Sequence, residues 1–192
     1  IDLDVEGSPD LCRNFLKLAK SRYYSASLIY NVQANRFCQC GDPTGTGNGG
    51  ACIYGVIEST KRGVSEENLQ SRFLQSRGRL LTPTELKEKG RVVATEINFI
   101  KDTVGSQFLI TVAEGQGNAL DGYNTLGGHD NHRPLSLGQV TEDSDGVLDK
   151  INTAYCDTEG RPYADIRINR ALVLHDPFTD PDGMDQVLKD RG

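Results

Sequence analysis

Four absences in this 192-residue chain narrow the reading before any motif is considered. There is no excess of positive charge: 21 basic residues stand against 27 acidic ones, a net charge of −6. That sign is wrong for a domain that grips phosphate backbones, so direct nucleic-acid binding is not expected. The local basic clusters at 61–62, 72–79 and 87–91 read as solvated faces. There is no apolar run near the roughly 18–20 residues of a membrane span, so no membrane association is expected. There is no signal peptide, and the chain opens at Ile1 without Met, as a fragment does. Finally, five cysteines (Cys12, Cys38, Cys40, Cys52, Cys156) form no CxxC pair. An odd, scattered set of this kind reads as free buried thiols of an intracellular protein.

Hydrophobic content is low, at 36%, which allows one core with long polar excursions. Residues 1–5 alternate apolar and acidic, as a half-buried strand does. Ser8 and Pro9 open a helix whose stripe is Leu11, Phe15 and Leu18, with Ser8 as its expected cap. Strands are expected at 27–33, 37–39, 51–57, 91–97, 107–112 and 165–174. A turn is expected at Ala34-Asn35. A short helix is read at 65–77. Thr82-Pro83-Thr84-Glu85 is a capping box that starts another. Residues 145–154 read as helix, with Val147, Leu148 and Ile151 inward. A long loop occupies 114–138, and the acidic, Pro/Gly-rich tail from Asp176 reads as linker. Many short strands with two main helices imply a mainly β domain, a barrel or sandwich rather than a parallel sheet.

The densest feature is 39–55, which holds six of the 21 glycines. Gly45, Gly47 and Gly50 match GxGxxG, a pattern that binds pyrophosphate only when a helix follows. The run after it, Ala51-Cys52-Ile53-Tyr54-Gly55, reads as strand, which argues against a nucleotide site. No Lys-Ser/Thr follows the glycines either. His129 and His132 flank Asp130 between Gly127-Gly128 and Pro134, which favours a surface loop over a metal site. His175 has no evident Ser or Cys partner. No metal and no cofactor are expected.

Taken in order, several segments resemble the cyclophilins. They are Gln39-x-Gly41-Asp42, the glycines of 45–50, Ile53-Tyr54-Gly55, Gly105-Ser106-Gln107-Phe108-Leu109-Ile110 and Leu120-Asp121-Gly122. Asn14-Phe15-Leu16-Lys17-Leu18 with Tyr23-Tyr24, and 162–169 with Asp176-Pro177-Phe178, resemble the nuclear cyclophilins that carry an RNA-recognition motif. The resemblance implies an eight-stranded antiparallel closed barrel capped by two helices, over residues 1–178. Its atypical insertions are at about 58–81 and 114–138. An acidic tail at 179–192 follows, and a first strand is missing before Ile1. It also implies peptidyl-prolyl cis/trans isomerase activity on proline-containing peptide segments, a monomer, a nuclear location and nuclear RNA-processing proteins as further partners.

The same resemblance assigns site positions. Asn31 stands where active members have the arginine that donates to the prolyl nitrogen. Asn124 stands at the usual histidine, Ala119 at an aromatic, and Leu109 at the phenylalanine that floors the proline pocket. Arg36 falls at a pocket phenylalanine, a place that Phe37 takes if the turn slips by one residue. Gln39, Asn98, Gln107 and Leu120 match the family. The expectation is therefore a peptide groove that is built, with weak or no catalysis. The alternative is a catalytically silent interaction module that works through the two insertions.

Overall fold

In the computed structural model, residues 1–95, 103–115, 119–120 and 134–191 are described. One six-stranded antiparallel sheet organises them, in the order β1 (Asp2–Leu3), β8 (Leu135–Gln139), β5 (Val92–Thr95), β7 (Phe108–Thr111), β3 (Phe37–Cys40) and β2 (Asn31–Gln33). A second ribbon pairs β4 (Leu74–Gln75) with β6 (Thr103–Val104). The β2–β3 hairpin turns at residues 34–36, where Asn35 takes a left-handed φ of 60°, a conformation Asn tolerates.

Alternation along these strands splits the sheet into two faces. Val32, Cys38, Cys40, Val93 and Phe108 belong to the main core, together with Leu11, Cys12 and Leu18 of α1 (Pro9–Lys20). Ile53, Val56 and Ile57 of α2 (Ile53–Arg62) join the same core. Phe15, Tyr24 and Phe108 knit α1 to the sheet through ring contacts of 5.0 to 5.3 Å. The opposite face carries a smaller apolar cluster of Phe37, Leu81, Leu86, Val92, Ala94, Leu109 and Leu120.

Several expectations are corrected. Residues 51–57 are not a strand, because α2 begins at Ile53. Its apolar residues recur at 53, 56 and 57, a helical spacing, and the Ile53 amide is capped by Asn14 Oδ1 at 2.8 Å. Ser8 occupies the N-cap of α1 but makes no cap bond there. Its hydroxyl instead accepts from the Arg79 amide at 3.0 Å. The helix read at 65–77 is two single 3₁₀ turns, Glu66–Asn68 and Gln70–Arg72, followed by β4. Thr82 and Glu85 do form a capping box, on α3 (Pro83–Glu88). In α4 (Val147–Asn152), Leu148 and Ile151 are buried, but Val147 is 48% exposed.

Residues 165–174 do not form a regular strand. The segment runs beside 26–29, held by backbone bonds among Ala26, Ser27, Ile29, Ile166 and Ile168. The end of the expected loop, from Leu135, is β8. The tail is no linker. Lys17, fully buried, donates to Asp176 Oδ2 (2.7 Å), Asp180 Oδ1 (2.6 Å) and the Phe178 carbonyl (2.7 Å). Beyond that clasp, α5 (Met184–Arg191) packs Met184 and Val187 into the core. Among the described residues no helix is long and apolar enough to cross a membrane.

Candidate functional site

Strand register lines up the site. Asn31 lies opposite Gln39, Gln39 opposite Leu109, and Leu109 opposite Ala94. Directly paired residues project to the same side of a sheet. Asn31, Gln39, Leu109 and Ala94 therefore form one transverse row, and Phe37, two residues from Gln39, shares its face. The row is polar at the β2 end and apolar at the β5 end.

At the apolar end Phe37, Leu109 and Leu120 are all buried in one cluster, and Ala119 is buried beside them in the chain. Arg36 joins this end: its Nε donates to the Ala119 carbonyl at 3.3 Å and its guanidinium lies over the Phe37 ring. At the polar end, Asn31 Nδ2 donates to Gln39 Oε1 at 3.0 Å, and Gln33 Nε2 donates to Asn31 Oδ1 at 2.8 Å. Gln39 Nε2 donates to Gln107 Oε1 at 3.4 Å, and the Tyr30 hydroxyl donates to the same oxygen. Gln107 Nε2 in turn binds the carbonyls of Gly47 and Gly49, both at 3.0 Å. Asn31, Gln39 and Gln107 are thus brought together. Asn98 and Asn124 lie outside the described residues. Tyr30 is an addition that no sequence signal set apart from a core aromatic.

The glycine loop rims this row, and an internal anion holds its shape. Asp42, fully buried, accepts from the amides of Thr44 (2.8 Å), Thr46 (3.1 Å), Gly47 (2.7 Å) and Gly49 (3.1 Å), and from the Thr44 hydroxyl. Burial alone would raise this carboxyl, but the Thr44 and Gly49 amides and their neighbours outweigh it and hold it below its ordinary value. A Cβ on Gly49 would sit 2.1 Å from Asp42 Oδ1, so only glycine fits there.

The phosphate reading fails, although not for the reason drawn from the sequence. A helix does follow the glycines, yet the loop amides already serve Asp42. The amides of Ala51, Cys52 and Ile53 serve the Tyr23 hydroxyl, the Arg72 carbonyl and Asn14. A phosphate cradle needs such donors unclaimed. His129 and His132 lie outside the described residues. Among those described, no group of His, Cys, Asp or Glu has the arrangement of a metal site.

The family model described as "Cyclophilin type peptidyl-prolyl cis-trans isomerase/CLD" matches residues 1–173. The chain belongs to this family. Among its curated relatives, human peptidyl-prolyl cis-trans isomerase-like 4 is 39% identical over 191 residues, covering 100% of this chain and 33% of its own length. Peptidyl-prolyl cis-trans isomerase cyp6 of Schizosaccharomyces pombe is 38% identical over 98% of this chain and 40% of its own length. The chain thus spans a third to two-fifths of those relatives. A cyclophilin-type isomerase of Cryptosporidium parvum, solved in the presence of the dipeptide Ala-Pro, superposes with a TM-score of 0.66 at 22% identity, over 91% of both chains. That likeness is one of fold. Of the row just described, Asn31, Gln39 and Leu109 are positions to which the family resemblance assigned a site role, and Ala94 is not.

Proposed function

We propose that this domain binds proline-containing peptide segments across the Asn31–Gln39–Leu109 row and isomerises their X–Pro bonds weakly or not at all. The observation that carries the reading is Asn31 itself. Rotation about an X–Pro bond takes roughly 10–100 s unaided, because amide resonance holds it planar. A donor aimed at the prolyl nitrogen weakens that resonance, and the family uses an arginine for it. Asn31 offers a neutral amide, whose hydrogen bonds are about half as strong as charge-assisted ones. Its Nδ2 also already reaches Gln39 across the strand pair. By comparison with the loss of one oxyanion-hole donor, the deficit is about 2.7–4 kcal/mol, or ~10²–10³ in rate. The apolar half of the row, with Phe37 and Leu109 beside Gln39, supplies the surface against which a proline ring packs.

Exchange NMR on an Ala-Pro peptide tests both parts. Shift changes at Phe37, Gln39 and Gln107 with little catalysed exchange are expected, and Asn31→Arg should raise the exchange rate. Catalysis by the unaltered chain at the level of an arginine-bearing cyclophilin defeats the impairment reading.

The six-stranded sheet is read as part of a closed antiparallel barrel, with the bonded segments 26–29 and 166–168 continuing it past β2. Binding through the insertion at 58–81, as a silent module of a nuclear RNA-processing assembly, is the second reading. It is favoured by the exposed Arg62 and Arg77 on a chain of net charge −6. Charge reversal at these two arginines should release such an assembly and leave peptide shifts unchanged. If reversal leaves the assembly intact, this reading falls.

A further inference from the structure

The insertion at 58–81 reaches the glycine loop through the side chain of Arg72. The four successive carbonyls of 47–50 are shared alternately between two residues. Gln107 Nε2 takes those of Gly47 and Gly49, both at 3.0 Å. Arg72 takes the other two: its Nε donates to the Gly50 carbonyl at 2.7 Å and its terminal nitrogen to that of Asn48 at 3.1 Å. The main chain of Arg72 is tied to the same region, since its carbonyl accepts from the Cys52 amide at 2.7 Å. Its guanidinium lies over Phe73, 4.9 Å from the ring centre, and the Phe73 ring in turn packs against Gly105, two residues before Gln107. Gly55 lets α2 approach this close, since a Cβ there would meet the Arg72 Cα at 2.9 Å.

We infer that Arg72 is a positioning residue of the peptide groove, holding the 47–50 carbonyls so that Gln107, and through it Gln39, keep their orientation. The inference rests on the groove reading above for its functional consequence, though not for its geometry. Asp42 fixes the amides of the loop, and Arg72 with Gln107 fixes the carbonyls. A loop bonded on both sets of groups presents its rim without ordering cost when peptide arrives. Arg suits this place better than Lys because its planar fork reaches two carbonyls at once.

The test uses ¹⁵N-labelled chain carrying Arg72→Ala or Arg72→Lys, with Arg62→Ala as control. Arg62 is an exposed insertion arginine whose ion pair, to Glu58, is local. Arg72→Ala should shift the Gln107 side-chain amide signals and the 47–50 amides, and weaken the Ala-Pro peptide about 5- to 10-fold. Arg72→Lys should recover part of both effects, and Arg62→Ala should change neither. Gln107→Ala reads the link from the other end, by moving the Arg72 Nε–H signal. It decides the matter if Arg72→Ala does not fold. Unmoved Gln107 signals in folded Arg72→Ala, an Arg62→Ala effect of equal size, or an unmoved Arg72 signal in Gln107→Ala overturns the inference. Absence of any peptide binding by the unaltered chain would count instead against the groove reading, while the Gln107 signals still judge Arg72.

Discussion

The two faces of the central sheet are cut from the same strands and carry different chemistry. On the core face, Val32, Cys38 and Ile110 lie in one cross-strand row, continued by Val93, and none of them offers a strong polar group. Burial pushes the Cys38 thiol up to about 12, which leaves it a small apolar filler. One residue along β3 the side chain points the other way, and the row becomes Asn31, Gln39, Leu109 and Ala94. Its amides bond to one another and, through Gln107, to the glycine loop. A core row tolerates no unpaired polar atom, so it is built to be dry. On the function proposed above, the other row keeps amides that can exchange partners when peptide arrives. On that proposal, stability and recognition are separated by a one-residue step, and substitutions should sort by parity along each strand.

The largest effect is expected on the core face. Phe108→Ala removes a ring that meets Phe15 and Tyr24 edge-on and should cost about 3–5 kcal/mol. Urea unfolding should show it as a lower midpoint. Peptide affinity of the fraction that remains folded should be unchanged, and a specific affinity loss would blur the division of faces. Next comes Asp42→Asn, which puts an NH₂ donor among amides that need an acceptor and should cost about 1–3 kcal/mol. It should also weaken peptide binding, because the loop rims the groove. The folded carboxyl lies below its unfolded value. Its contribution is therefore present in full above the unfolded pKa, near 3.9, and lost as pH falls through the lower folded one. The stability gap between the variant and the unaltered chain should therefore be widest near neutral pH and close in acid. A gap independent of pH between 7 and 2 contradicts this account of the loop.

How legible this was depended on where each residue's partner lies. The Thr82–Glu85 box and the 34–36 turn involve groups a few residues apart, and both were readable. The start of α2 was not. Isoleucine, tyrosine and valine favour strands locally, and the deciding cap, Asn14, lies 39 residues away in the chain. The tail was misread for the same reason. Asp176 and Asp180 look like linker acids until Lys17, buried and in need of anions, is seen to claim them. Composition argued for disorder while the spacing of Met184, Val187 and Leu188 already described one helical face. At the site, the positions of Asn31, Gln39 and Gln107 came from family resemblance. The roles of Tyr30 and Arg72 are set by contacts that local pattern does not encode.

The smallest effect on stability, and the sharpest contrast, is expected at Gln39→Leu. Gln39 is buried beside Leu109, so a leucine of similar size fits the apolar half of the row. Among the bonds of Gln39 to described residues, the change strips a partner from Asn31 Nδ2 and one weak bond, at 3.4 Å, from Gln107. Asn31 is only half-buried and can turn to water, while Gln107 Oε1 keeps the Tyr30 hydroxyl. The net cost is therefore about 0.5–1.5 kcal/mol, the worth of one ordinary hydrogen bond. Peptide binding should suffer more than stability, because the row loses the amide at its centre, where polar and apolar halves meet. Titration of an Ala-Pro peptide, paired with thermal unfolding, separates the two. A large drop in unfolding temperature with unchanged affinity would place Gln39 in the architecture of the sheet, and the two faces would then differ in packing but not in function.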